Sequence, residues 1–136
     1  MIYLTRRERF SAAHRMFRED WSDEVNSRVF GKCSNPNWHG HNYILWVTVK
    51  GEMSEDHGFV MNIDTLKRII LDKVISKLDH KNINMEVDFM KGKIATTENL
   101  AVAIWNELIP EIEKDGIFLH CVRIQETENN TIEYYG

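Results

Sequence analysis

The stretch Tyr43 to Lys50 constrains the fold more than any other part of the chain. Tyr43, Leu45, Val47 and Val49 alternate with Ile44, Trp46 and Thr48, the period-two pattern of a β-strand. Both of its faces are largely apolar. A single layer of helices covers one face of a sheet, so the other must be buried by something else, either within the chain or from a second copy.

The rest of the chain supplies that layer. Residues 2–14 read as a first strand, followed by a long charged loop through Val29. Over Asp64 to Leu78, Leu66, Ile70, Val74 and Leu78 fall at spacing four, with Ile69, Leu71 and Ile75 widening the stripe; this predicts a helix capped by Asn62 or Asp64. Residues 79–94 read as an irregular connection. A second helix, capped by Thr96 or Thr97, turns Leu100, Ile104, Trp105 and Leu108 inward, with Pro110 kinking or ending it and Gly116 suiting the stop. The last segment reads as a hairpin across Thr127-Glu128-Asn129-Asn130, with asparagines where positive φ is needed. Two strands, two helices and two strands predict an α+β domain: a four-stranded antiparallel sheet with both helices on one face, order ββααββ.

At 136 residues, with no linker, repeat or low-complexity run, the chain is expected to be one domain over residues 1–136. A net charge of −4 and the lack of a Lys/Arg cluster interleaved with aromatics speak against nucleic acid as a partner. No apolar run is long enough to span a bilayer and no charged-then-apolar leader opens the chain, so no membrane partner and a soluble, cytoplasmic protein are expected. The two cysteines form no disulfide framework. Cys121 lies in an apolar strand pattern, where cysteine acts as a small hydrophobe. Cys33 follows Lys32 in a polar, Pro-containing turn, a setting compatible with a lowered pKa and solvent access.

His39-Gly40-His41 leads directly into the Tyr43 strand. Side chains two apart on a strand share a face, so both imidazoles can point at one metal while Gly40 faces away. A lone His-x-His is usually chance. Here His14, at the end of the first strand, can complete a three-histidine set, and three protein ligands leave the fourth zinc position open, the catalytic arrangement. Cys33, in the turn feeding the paired histidines, is then free for chemistry near the metal.

Asp79-His80 follows the first long helix. A carboxylate beside an imidazole can fix its tautomer and let it activate a thiol, although most such neighbours are satisfied locally. Glu126 shares its alternation with Val122 and Ile124: it is either an inward carboxylate awaiting a ligand or a hairpin boundary residue. Thr96, Thr97 and Glu98 are equally what a helix N-terminus requires.

Taken in order, Phe10-Ser11-Ala12-Ala13-His14, Gly31-Lys32-Cys33 separated by five residues from His39-Gly40-His41-Asn42-Tyr43, Leu78-Asp79-His80-Lys81-Asn82, Thr96-Thr97-Glu98-Asn99 and Glu126-Thr127-Glu128-Asn129-Asn130 resemble the 6-pyruvoyl-tetrahydropterin synthase family over essentially the whole chain. The resemblance implies a zinc enzyme of tetrahydrobiopterin biosynthesis, converting 7,8-dihydroneopterin triphosphate to 6-pyruvoyl-tetrahydropterin with loss of triphosphate. It implies one zinc per subunit on His14, His39 and His41, Cys33 as proton-abstracting base with Asp79 and His80 completing a triad, and Glu126 as pterin anchor assisted by Thr96 and Thr97. It also implies the tunnelling fold, in which trimers close their sheets into a barrel and stack as hexamers, with Cys33 and the Asp79-His80 pair from different subunits.

Trp38 and Ala13 depart from the family pattern, which commonly has a small residue before the first paired histidine and a serine before His14. Two alternatives remain. One is the related 6-carboxy-tetrahydropterin synthase of queuosine biosynthesis, whose members tend to a shorter gap between cysteine and histidines. The other is a non-catalytic zinc- or pterin-binding module, which would need none of Cys33, Asp79 and His80.

Overall fold

A computed structural model describes residues 1–136. Two long strands, β1 (Ile2–His14) and β2 (His39–Gly51), pair antiparallel along their full length, from Ile2 opposite Gly51 to His14 opposite His39. β2 then pairs antiparallel with β4 (Phe118–Thr127), and β4 with β5 (Asn130–Tyr134). The sheet has five strands rather than the expected four, because the two-residue β3 (Lys81–Asn82) adds to β1 in parallel, giving the order β3-β1-β2-β4-β5. Two residues carry no readable alternation, so this strand has no signature of its own.

The helical layer is more divided than two helices. α1 (Asp23–Phe30) occupies part of the expected charged loop; Ser22 caps it, accepting from the Val25 N–H. Asn26 is its only buried residue, so no apolar stripe announces it. α2 (Ile63–Ile70) begins at Asn62, whose side chain accepts from Asp64 and Thr65, and passes through a π-helical turn (Leu71–Ile75) into α3 (Ser76–Leu78). A spacing of four drifts about 40° per step around an ideal α-helix. The wider π turn offsets that drift, and Leu66, Ile70, Val74 and Leu78 are all fully buried. The connection expected to be irregular holds β3, α4 (Ile83–Glu86) and a 3₁₀ turn at Asp88–Met90. The element order is therefore not ββααββ.

α5 (Thr97–Ile112) packs on β4 and β5, with Thr96 as its cap and Pro110 in its last turn, where the helix is already ending. The core lies between these helices and one sheet face: Phe10, Tyr43, Leu45, Val47, Val49, Val122 and Ile124 meet Leu66, Ile70, Leu100, Ile104 and Leu108. Each such side chain contributes about 1.5–3 kcal/mol by leaving water. The opposite face carries no helix, and there Ile44, Trp46 and Thr48 are only half-buried. The β4–β5 turn contains no residue at positive φ, contrary to the expectation for its asparagines; a register shift between Gln125 and Thr127 closes it instead. No helix is long and apolar enough to cross a membrane.

Candidate metal centre and adjoining cleft

His14 and His39 are direct cross-strand partners, and His41 faces Ala12 two residues further along. Cross-strand partners and residues two apart share a face, so pairing alone sets all three imidazoles on the core side of the sheet. Their ligand atoms lie within 4.8 Å of one another. The His14 Nδ1 contacts the Ala95 carbonyl at 2.7 Å; a carbonyl only accepts, so Nδ1 carries the proton and Nε2 presents its lone pair.

That lone pair meets no partner. His14 Nε2, both ring nitrogens of His39 and His41 Nε2 are buried without hydrogen bonds, and they are the only such side-chain atoms in the chain. Each orphaned polar atom costs about 1–3 kcal/mol. Burial pushes the His14 and His39 pKa values down, so both rings are neutral at neutral pH, the form that binds a metal. Buried, convergent nitrogens without hydrogen-bond partners fit a zinc ion, and three ligands leave room for another.

Glu126 closes one side of this centre. Its Oε1 lies 3.6 Å from His41 Nε2, and its Oε2 accepts a hydrogen bond from the Thr97 hydroxyl. Thr97 is buried at the first turn of α5, while Thr96 accepts from the Asn99 N–H as the helix cap. The two threonines, read together from sequence, thus do different things. Tyr43, which sequence reasoning treated only as a strand residue, is 1% exposed, stacked on Phe10 and edge-on to His14 and His41. Burial pushes its phenol pKa well above the ordinary value, and the Glu126 carboxylate adds to the shift. Alternation puts Tyr43 on one face with Leu45 and Val47, and the lone hydroxyl in that stripe was the missed signal.

Cys33 sits half-buried in a 3₁₀ turn (Gly31–Ser34) outside the histidine cluster. Its carbonyl accepts from the Met16 N–H, and the next carbonyl, of Ser34, from Arg15 Nε. The turn is thereby tied to the two residues that follow His14. Gly31 holds φ +56 where α1 gives way to this turn. Trp38 holds φ 66 immediately before His39, an uncommon conformation for a bulky residue at the entry to a site.

Asp79 and His80 lie at the far side of β1. Asp79 Oδ1 accepts from the Ser11 N–H at 2.9 Å and lies 3.1 Å from His80 Nδ1, while the His80 N–H donates to the Ser11 carbonyl. The Ser11 N–H, and then His80, hold the Asp79 carboxyl below its usual range. The His80 ring is 83% exposed and faces an open cleft of about 470 Å³ with Ser11, Gly40, His41 and Asn42. No hydrogen bond joins it to Cys33 of the same chain.

The family model described as 6-pyruvoyl tetrahydropterin synthase matches residues 3–136. A 6-pyruvoyl tetrahydrobiopterin synthase of Dictyostelium discoideum is 50% identical over 99% of this chain and 96% of that protein. The human protein of the same name is 44% identical over 98% and 90%. The solved structure of 6-pyruvoyl tetrahydropterin synthase from Caenorhabditis elegans superposes with a TM-score of 0.91 at 36% identity, covering 99% of this chain and 95% of that one. A 6-carboxy-5,6,7,8-tetrahydropterin synthase of Rickettsia bellii is more distant, at 26% identity.

Proposed function

From a chain that belongs to the 6-pyruvoyl tetrahydropterin synthase family, we propose an enzyme that converts 7,8-dihydroneopterin triphosphate to 6-pyruvoyl-tetrahydropterin and triphosphate. The observation that carries this reading is the set of orphaned nitrogens on His14, His39 and His41 beside the Thr97–Glu126 pair. Residues 1–136 act as one domain in this reading.

One zinc per subunit, held by His14, His39 and His41, would supply Lewis-acid polarisation of the substrate's side-chain oxygens. The remaining work falls to the protein. Cys33 as thiolate takes a carbon-bound proton from the side chain, while Asp79 orients His80 to receive that proton. Glu126 accepts hydrogen bonds from N–H groups of the pterin ring, and Thr97 aims its carboxylate; Thr96 acts by starting the helix that carries Thr97. Charge leaves with triphosphate and oxidation state is redistributed within the substrate, so no reductant enters.

His80 opens onto a cleft that Cys33 does not line, which supports a triad shared between subunits. β1 is free along most of one sheet edge and β5 forms the other, and the strand directions run antiparallel between them. Edge β5 of one copy can therefore extend the sheet at β1 of the next without breaking the pattern, which supports a tunnelling-fold trimer that stacks as a hexamer.

The five residues between Cys33 and His39 favour the pyruvoyl over the carboxy reaction. Metal-loaded protein is incubated anaerobically with 7,8-dihydroneopterin triphosphate and the product is weighed by mass spectrometry. The expected product keeps all three side-chain carbons. A carboxylate product with acetaldehyde transfers the chain to the queuosine-type reaction, and no product at all favours a binding module.

A further inference from the structure

The sheet face without helices carries a charge pattern that the proposed reaction leaves unused. Strand pairing sets Arg7, Trp46 and Arg123 side by side in one cross-strand row. The guanidinium carbons of Arg7 and Arg123 stand 6.0 and 4.7 Å from the Trp46 ring centre. The ring quadrupole attracts both cations.

Alternation assigns Arg9 and Lys50 to the same face, one row toward the metal end and two rows away from it. Among these strand positions the one carboxylate is Glu133, with Oε1 3.7 Å from Arg123 Nε; Arg7 and Arg9 have no ion-pair partner. Four cations against one anion make a face of +3 on a chain of net charge −4. A cleft of about 340 Å³ opens on it, lined by Trp46, Arg123, Glu133 and Tyr135, while Arg7 and Arg9 lie outside its lining.

We propose that this face binds inorganic triphosphate, held by Arg7, Arg9 and Arg123 around Trp46. Adjacent strands stand about 4.8 Å apart, so the Arg7–Arg123 row spans roughly 10 Å and offers separated guanidinium forks to a short chain of phosphates rather than to a single one. The inference rests on the proposed function in two ways: the reaction liberates this anion, and the ring of three sheets turns the face inward. Three +3 surfaces in one lumen repel one another, and a multivalent anion relieves that repulsion.

The test is calorimetric titration of the zinc-loaded, assembled protein with inorganic triphosphate, with orthophosphate and a short DNA duplex in parallel. Wild type should bind triphosphate more tightly than orthophosphate, with affinity falling as salt rises. Arg7→Gln/Arg123→Gln should weaken binding by roughly tenfold or more, since two charge-assisted contacts are lost. Arg9→Gln, which touches neither Trp46 nor an ion pair, should weaken it by about threefold, and it keeps the test alive if the double variant misfolds. Zinc content and turnover should stay unchanged in both. Equal binding in wild type and variants, displacement of triphosphate by a pterin ligand, or tighter binding of the duplex would each overturn the assignment. Light scattering separates the two readings: a monomer whose triphosphate binding still depends on Arg7, Arg9 and Arg123 removes the ring and supports the face.

Discussion

The His14 imidazole donates from Nδ1 to the Ala95 carbonyl at 2.7 Å, linking the end of β1 to the residue before the cap of α5. This bond fixes one tautomer and aims Nε2 at His39 and His41. The same short approach to α5 brings Thr97 within reach of Glu126, so the histidine cluster and the carboxylate are positioned by one junction of sheet and helix.

His14→Ala should therefore abolish stoichiometric zinc binding, with an affinity loss beyond the roughly 10–100-fold expected of a mere outer partner. Thr97→Val, which removes an outer contact, should retain zinc. Elemental analysis after dialysis reads both, and full zinc occupancy in His14→Ala would remove this residue from the ligand set.

Cys33→Ala should keep zinc and assembly but slow turnover by about a hundredfold or more, the usual scale for a positioned base. Cys121→Ala is the control. Cys121 is buried, and burial pushes its thiol pKa up, so its loss should lower thermal stability and leave turnover alone. Near-normal turnover of Cys33→Ala would reduce that residue to a part of its 3₁₀ turn.

Glu126→Ala should weaken binding of a pterin ligand by roughly ten- to a hundredfold, because hydrogen bonds to a charged group contribute about 1.5–3 kcal/mol. It also frees the Thr97 hydroxyl, so Thr97→Val should show a smaller loss in the same direction. Unchanged affinity in a fluorescence titration of Glu126→Ala would mean that the carboxylate serves only its neighbours His41 and Thr97.

The site was legible where one side chain's periodicity decided its direction. His14, His39 and His41 follow from strand alternation, and the stripe from Leu66 to Leu78 follows from helical spacing. What depended on partners elsewhere in the chain was not legible. The roles of Thr96 and Thr97 diverge only because Glu126 arrives from β4, 29 residues on in sequence. α1 rests on a polar cap and a buried asparagine, β3 on two residues borrowed by β1, and the π turn on a drift correction that an ideal helix conceals. The turn at Glu128 and Asn129 closes through a register shift rather than positive φ, a choice made by the pairing of β4 with β5.

Asp79 links the site to pH. The Ser11 N–H and then His80 hold its carboxyl below the ordinary range, so the unfolded chain binds a proton there at a higher pH than the folded one. The stabilisation is therefore fully present above about pH 4, the unfolded carboxylate value, and is lost as pH falls through the folded value. Asp79→Asn keeps an oxygen for Ser11 but has no charge to titrate. Wild type should thus be the more stable protein near neutrality, and the difference should shrink toward zero on acidification, by a modest amount because the side chain is 40% exposed and screened by solvent. Denaturant unfolding of both proteins at one fixed subunit concentration, from pH 7 down to about pH 2, measures it. A difference that stays constant across that range would show that Asp79 stabilises the junction by shape alone, and the carboxylate would then have no electrostatic hold on His80.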